Sequence, residues 1–177
     1  VVLVLTPHGA VLGHVGDSRA YRVRNDKIEQ LTFDHSLHWE LERQGRVKSG
    51  DVFMPEAKHV ITRSLGPESK VQVDINGPHL VLPNDRFVLC SDGLTGHVSD
   101  TEIGMILREL PPDESSKLLV NLANLRGGSD NTTVVVVGVN ELPDGISDAS
   151  VEAFRPAMPP VGMAWRFGFW VSVGTCG

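Results

Sequence analysis

Cysteine is nearly absent from this 177-residue chain, which contains only Cys90 and Cys176. One closes an apolar run and the other stands beside the last residue. Thiols so placed form no disulfide framework, and a reducing, cytoplasmic setting is the expectation. Basic charge is also short: 16 Lys and Arg stand against 22 Asp and Glu, a net charge of −6. With no dense Lys/Arg run, this balance excludes a general nucleic-acid binder. Nucleotide-binding glycine signatures are missing too; neither Gly-x-Gly-x-x-Gly nor a Walker loop occurs. Nor is there an apolar run long enough to span a bilayer. The aromatic stretch Ala164–Val173 is about half of the ~20 residues a spanning helix needs, and it carries Arg166. It reads as a loosely packed tail, with the start of a membrane anchor as the less favoured reading. The opening Val1–Leu5 has no basic flank and no cleavage-like site, so it reads as mid-strand in a fragment rather than as a signal peptide.

What is present suits one folded domain. Hydrophobic residues make up 41% and charged residues 21%, enough to build a packed core. Apolar runs at Val1–Thr6, Val11–Val15, Ala20–Arg24 and Ile28–Leu31, punctuated by Pro7-His8-Gly9 and Asn25-Asp26, predict an antiparallel meander. The period then changes. Ser36 is placed to cap a helix within Asp34–Gly45, with Leu37, Leu41 and Gln44 on one face. Arg46–His59 reads as a short helix or loop. Strands are expected at Val60–Ser64, Val71–Ile75 and Arg86–Cys90. Ser99-Asp-Thr-Glu102 is a capping box for a helix ending at Pro111-Pro112, and a second helix runs from about Asp113 to Gly127-Gly128. The valine-rich run Asn131–Val139 predicts a last strand buried on both faces. Asn140–Gly162, with Pro143, Pro156, Pro159 and Pro160, reads as a linker. Strands, then two consecutive helices, then a strand make an α+β pattern.

Three short acidic motifs sit at strand boundaries: Gly16-Asp17-Ser18-Arg19, Ser91-Asp92-Gly93 and Ser129-Asp130-Asn131. Each has an ordinary structural reading. Asp-Gly is a common turn pair, Gly127-Gly128 can end a helix before an Asx turn, and Gly16–Arg19 can be a tight loop with Arg19 pairing locally. Each also has a chemical one, because carboxylates at strand ends can hold hard cations that prefer oxygen ligands. His35 and His38 lie three residues apart without a third zinc ligand, and read as a solvated or half-packed pair. His14 stands close in sequence to the first acidic motif, and no role is assigned to it.

The order GDSR, SDG, SDN resembles the metal-dependent protein serine/threonine phosphatases of the PP2C, or PPM, type. Thr32-x-Asp34-His35-Ser36, Glu40-Leu41, Gln44-Gly45 and Ile61–Gly66 resemble the segments of bacterial members. Asn131, Thr133 and Val137 resemble the family's last metal-binding segment. The resemblance implies a β-sandwich flanked by helices in α/β/β/α layers. Residues 1–139 would be the C-terminal portion of the phosphatase domain, and 140–177 a Pro-rich linker and apolar tail. It implies that Asp92 and Asp130 bind the catalytic metals and that Asp17 binds an accessory one. The ions would be Mg²⁺ or Mn²⁺, two in number or three with the accessory ion. The partners would be phosphorylated proteins and a cognate Ser/Thr kinase. Asp34–His59 would form a flap over the site. The family's bridging aspartate in Asp-Gly-x-Gly-Gly, its phosphate-holding arginine and an early acidic residue would lie upstream of Val1, so this chain alone is expected to be inactive. A non-catalytic PP2C-like binding module is the alternative. Gly16-Asp17-Ser18 also resembles the nucleophile segment of GDS-type esterases, but neither their Asp-x-x-His nor a Gly-x-Ser-x-Gly occurs.

Overall fold

A computed structural model describes residues 1–46, 60–67 and 70–141. Strands β1 (Val2–Thr6) and β2 (Gly9–His14) form a hairpin, and β5 (Asp74–His79) pairs on the other side of β2, giving a three-stranded antiparallel sheet. Strands β3 (Arg19–Arg24) and β4 (Lys27–Gln30) form a second hairpin. They join β6 (Arg86–Cys90) and β7 (Val134–Gly138) in a four-stranded antiparallel sheet of order β4-β3-β6-β7. The first four strands are therefore not one meander. The chain leaves the first sheet after His14 and enters the second at Arg19, through a bend in which Gly16 has φ 105°. The β3–β4 turn needs no glycine because Asn25 takes the left-handed conformation, φ 52°, which asparagine tolerates.

Period-two alternation in the four-stranded sheet builds two cores. Ala20 and Phe87 point toward the three-stranded sheet and pack with Ala10, Leu12, Leu31, Val81 and Val139. Tyr21, Val23, Val88 and Cys90 point the other way. They meet a layer made by α2 (Asp92–Thr95), α3 (Asp100–Glu109) and α4 (Pro112–Leu125), through Leu94, Ile103, Leu107, Leu119 and Ala123. The order is sheet, sheet, helices: three of the four layers expected. On the far face of the three-stranded sheet Val2 and Ile75 are 58% and 59% exposed, and no helix among the described residues packs there.

Several expectations shift. Val71–Ile75 gives way to β5 at Asp74–His79. Its partner β2 ends at His14, opposite Asp74, so earlier residues have no ladder to join. Pro78 is tolerated because β5 is an edge strand. Among the described residues, Val60–Ser64 contributes a single bridge, Ile61 to Ser36, and no strand. Both faces of β7 touch a core, but Val134–Val137 are half-buried, because β7 is the edge of its sheet. The helix α1 (Leu37–Arg43) has the expected Ser36 cap, with Trp39 N–H donating to the serine oxygen, yet no buried residue. The Ser99–Glu102 capping box forms as read. Residues 47–59 and 142–177, which hold most of the flap, linker and tail expectations, lie outside the described residues.

Candidate metal centre

Strand register puts the three acidic motifs at one end of the four-stranded sheet. Arg19, the first residue of β3, is opposite Cys90, the last of β6, and Cys90 is opposite Val134, the first of β7. Asp17 lies two residues before this row, Asp92 two residues after it, and Asp130 four residues before it. Antiparallel pairing thus turns three separated motifs into neighbouring corners of one rim. Asp92 and Asp130 are exposed and Asp17 half-buried.

Backbone and hydroxyl hydrogen bonds lace the last two corners together. Ser91 N–H donates to Thr133 O at 3.1 Å. The Ser91 hydroxyl donates to Asn131 O at 3.0 Å and accepts from Thr133 N–H at 3.0 Å. Gly93 is required by this approach: a Cβ there would stand 2.6 Å from the Asn131 carbonyl oxygen. Asp92 itself opens the short helix α2 rather than a plain turn. Asp92 Oδ1 accepts from Gly93 N–H at 2.9 Å, and Asp130 Oδ1 from Asn131 N–H at 2.7 Å. Each carboxylate keeps its second oxygen free of hydrogen bonds among the described residues. On the other side of Asp130, Ser129 Oγ lies 2.9 Å from His97 Nε2, and Arg126 donates to His97 O at 2.9 Å.

The first corner is braced differently. Arg19 binds Asp34 through both Nε and Nη2, at 2.9 and 2.7 Å, and donates from Nη1 to the buried Tyr21 hydroxyl at 3.1 Å. That fork reaches fifteen positions along the chain, in place of the local pairing expected of Arg19, and it leaves the guanidinium engaged. His35 departs from expectation. It precedes α1, is 4% exposed, and does not share a solvated face with His38. His14 is also buried, with its ring centroid 4.6 Å from that of His35.

Electrostatics favours a cation at this rim. The Asp17 carboxyl is pushed above its ordinary range, first by burial and then by the charge of Asp92. A bound cation would relieve both. Oxygen donors on one rim, with lone pairs uncommitted, suit Mg²⁺ or Mn²⁺. Among the described residues, however, no group of three or more His, Cys, Asp or Glu closes into a cage. The aspartates therefore fit part of a divalent centre, not a complete one. A cleft of about 380 Å³ lined by Leu12, His14, Phe33, Asp74 and Asn76 includes none of the three aspartates.

Sequence reading missed the bracing residues. Asp74, His97 and Arg126 carry no motif, and their roles depend on contacts spanning 39, 32 and 24 positions. The Thr32–Ser36 segment was the one available signal for His35.

An α+β sandwich with an acidic rim at one end of its larger sheet is the class these features define. The chain matches the Protein phosphatase 2C family over residues 1–132 and belongs to it. The serine/threonine phosphatase stp of Listeria welshimeri is 39% identical over 154 residues, covering 85% of this chain and 59% of that protein. The S. agalactiae serine/threonine phosphatase superposes with a TM-score of 0.69 at 39% identity, over 75% of this chain and 55% of that one. The catalytic domain of the phosphatase PstP, in complex with two manganese ions, gives a TM-score of 0.63 at 35% identity, over 78% and 57% of the two chains. The chain thus spans less than two thirds of these relatives.

Proposed function

We propose that this chain supplies Asp92 and Asp130 as metal-holding carboxylates to a protein phosphatase that hydrolyses phosphoserine and phosphothreonine on proteins, with Asp17 as an accessory ligand. The observation that carries the reading is the Arg19–Cys90–Val134 row, which brings the three aspartates to one rim. Bound Mg²⁺ or Mn²⁺ would supply an activated water and neutralise charge on the phosphoryl oxygens. The chain's own residues hold the geometry. Ser91 and Gly93 keep the Asp92 and Asp130 turns in contact, and Arg19 fastens the Asp17 turn to Asp34. No protein nucleophile is needed, in keeping with a Cys90 thiol pushed up to about 12 by burial.

Phosphorylated proteins are the substrates on this reading, a Ser/Thr kinase the opposing partner, and the cytoplasm the setting. No described helix is long and apolar enough to cross a membrane. Since the described aspartates do not close a cage, the 177-residue chain by itself should bind Mn²⁺ weakly and be inactive. The same observation favours a second reading, a non-catalytic module that binds phosphopeptides. Assaying phosphopeptide hydrolysis by the intact protein across a Mn²⁺ titration separates them. Metal-dependent turnover supports the phosphatase; binding without turnover at any metal concentration supports the module.

A further inference from the structure

His35 makes polar contacts in three directions. Its Nδ1 accepts from Gly16 N–H at 3.1 Å, and its Nε2 lies 3.0 Å from Asp74 Oδ2. An amide N–H only donates and a carboxylate only accepts, so the two contacts together require a neutral imidazole carrying its proton on Nε2. The backbone adds to the clamp. His35 N–H donates to Gly16 O at 2.8 Å, so ring and main chain grip both polar groups of the residue preceding Asp17. On the other side, Thr62 N–H donates to His35 O at 2.8 Å, Leu37 N–H to Val60 O at 2.9 Å, and Arg63 Nη1 binds Asp74 Oδ1 at 2.8 Å. The segment that returns after residue 59 is thus fastened to the same histidine and to its carboxylate. Burial works to raise the Asp74 pKa, but the hydrogen bonds and charge interactions of His35 and Arg63 together hold the carboxyl below its ordinary range. The His14 ring, itself buried, packs against the imidazole at a centroid distance of 4.6 Å with the two planes tilted by 47°.

We propose that His35 is a positioning residue: as the Nε2–H tautomer it ties the Gly16–Asp17 turn to Asp74 and to the Thr62–Arg63 return, and so sets where the Asp17 carboxylate stands on the rim. The effect on metal rests on the phosphatase reading above; the tautomer and the clamp do not.

The test uses the intact protein and three variants. His35→Asn presents an amide oxygen near the Nδ1 position and preserves the Gly16 contact. His35→Gln reaches instead toward the Nε2 position, and His35→Ala removes both. Imidazole ¹⁵N spectra of the wild type should show the Nε2–H tautomer. Gly16 amide exchange should quicken about tenfold in His35→Ala and His35→Gln, and stay near wild type in His35→Asn. The Mn²⁺ concentration for half-maximal activity should rise about tenfold in His35→Ala and be rescued by His35→Asn, as for other residues that orient metal ligands. An Nδ1–H tautomer, or unchanged Gly16 exchange in His35→Ala, overturns the proposal whatever the metal data. Unchanged Mn²⁺ activation in a His35→Ala enzyme with faster Gly16 exchange overturns the link to Asp17. A protein with no Mn²⁺ response at all would fail the phosphatase reading, and the tautomer and exchange results would still decide the clamp. If His35→Ala does not fold, the contrast between His35→Asn and His35→Gln carries the same decision.

Discussion

The Ser91 hydroxyl donates to the Asn131 carbonyl at 3.0 Å across forty positions of sequence, and the same oxygen accepts the Thr133 amide. One side chain thereby locks together the turns that carry Asp92 and Asp130. Ser91→Ala removes both bonds where water can replace them, so the loss of stability should be about 1 kcal/mol. That corresponds to a fall in melting temperature of about 2–4 °C. The larger effect should be on metal. If the turns drift apart, the Mn²⁺ needed for half-maximal activity of the intact protein rises about tenfold. Equal Mn²⁺ dependence in the variant and the wild type would show that the two turns are not one site.

Asp92→Asn and Asp130→Asn each remove a negative charge at nearly constant size. In the intact protein either change should lower phosphopeptide hydrolysis by orders of magnitude while circular dichroism and melting temperature stay near wild type. Asp17→Asn should act more weakly and mainly on metal dependence. Near-wild-type turnover by both Asp92→Asn and Asp130→Asn at saturating Mn²⁺ would remove the assigned ligands.

Gly93 is a sharper probe of the same contact. Its missing Cβ leaves room for the Asn131 carbonyl oxygen, which an alanine would meet at 2.6 Å. The obstacle is backbone on both sides, so neither side can yield cheaply. Gly93→Ala should destabilise by about 1–3 kcal/mol, more than Ser91→Ala, as read from urea unfolding midpoints. A melting temperature unchanged by the substitution would mean that the two turns are farther apart in solution.

Much of this was legible in the sequence, and the reasons are physical. Asp17, Asp92 and Asp130 could be placed at strand ends because the flanking runs alternate or stay apolar with period two, and each run stops at glycine or a polar turn. The capping box at Ser99 is a local feature and needed no tertiary information. What failed was pairing. Val71, Val73 and Ile75 have the look of a strand, yet pairing begins only at Asp74, because β2 offers no partner beyond His14. His35 looked like part of a helical face with His38, but a carboxylate 39 residues downstream and an amide 19 residues upstream hold it in the interior. Local pattern indicates which residues can form an element. Only the fold decides which distant partner satisfies a polar atom.

Glu102 gives a pH test of the helical layer. Arg126 first, and the Ser99 backbone and hydroxyl next, hold its carboxyl down to about 2, against an ordinary value of 4.5. The folded pKa is the lower one, so this contribution to stability is fully present above about pH 4.5 and fades as pH falls toward 2. Glu102→Gln should flatten that part of the stability profile. Unfolding midpoints at pH 5 and pH 3 should differ more for the wild type than for the variant. Parallel profiles would mean that the Arg126 contact is not maintained in solution.

Cys90 separates metal-based hydrolysis from thiol chemistry. It ends β6, two residues before Asp92, so proximity in sequence alone would make it a candidate nucleophile. Its environment argues otherwise. The residue is 3% exposed in the core shared by Tyr21, Val88 and Leu94, and burial, partly offset by Arg19, pushes the thiol up to about 12. The thiolate is therefore scarce at neutral pH, and it would face no solvent. In a Cys176→Ser background the native protein should resist iodoacetamide and react only after unfolding. Cys90→Ala should cost about 1 kcal/mol through lost packing. Cys90→Ser should cost more, because a hydroxyl would enter an apolar cluster. Phosphopeptide turnover by the intact Cys90→Ala protein should stay within about twofold of wild type, as expected for a core residue that touches no reacting atom. A loss of turnover by orders of magnitude in a folded Cys90→Ala variant would move the chemistry from the aspartate rim to the thiol, and the metal-based reading with it.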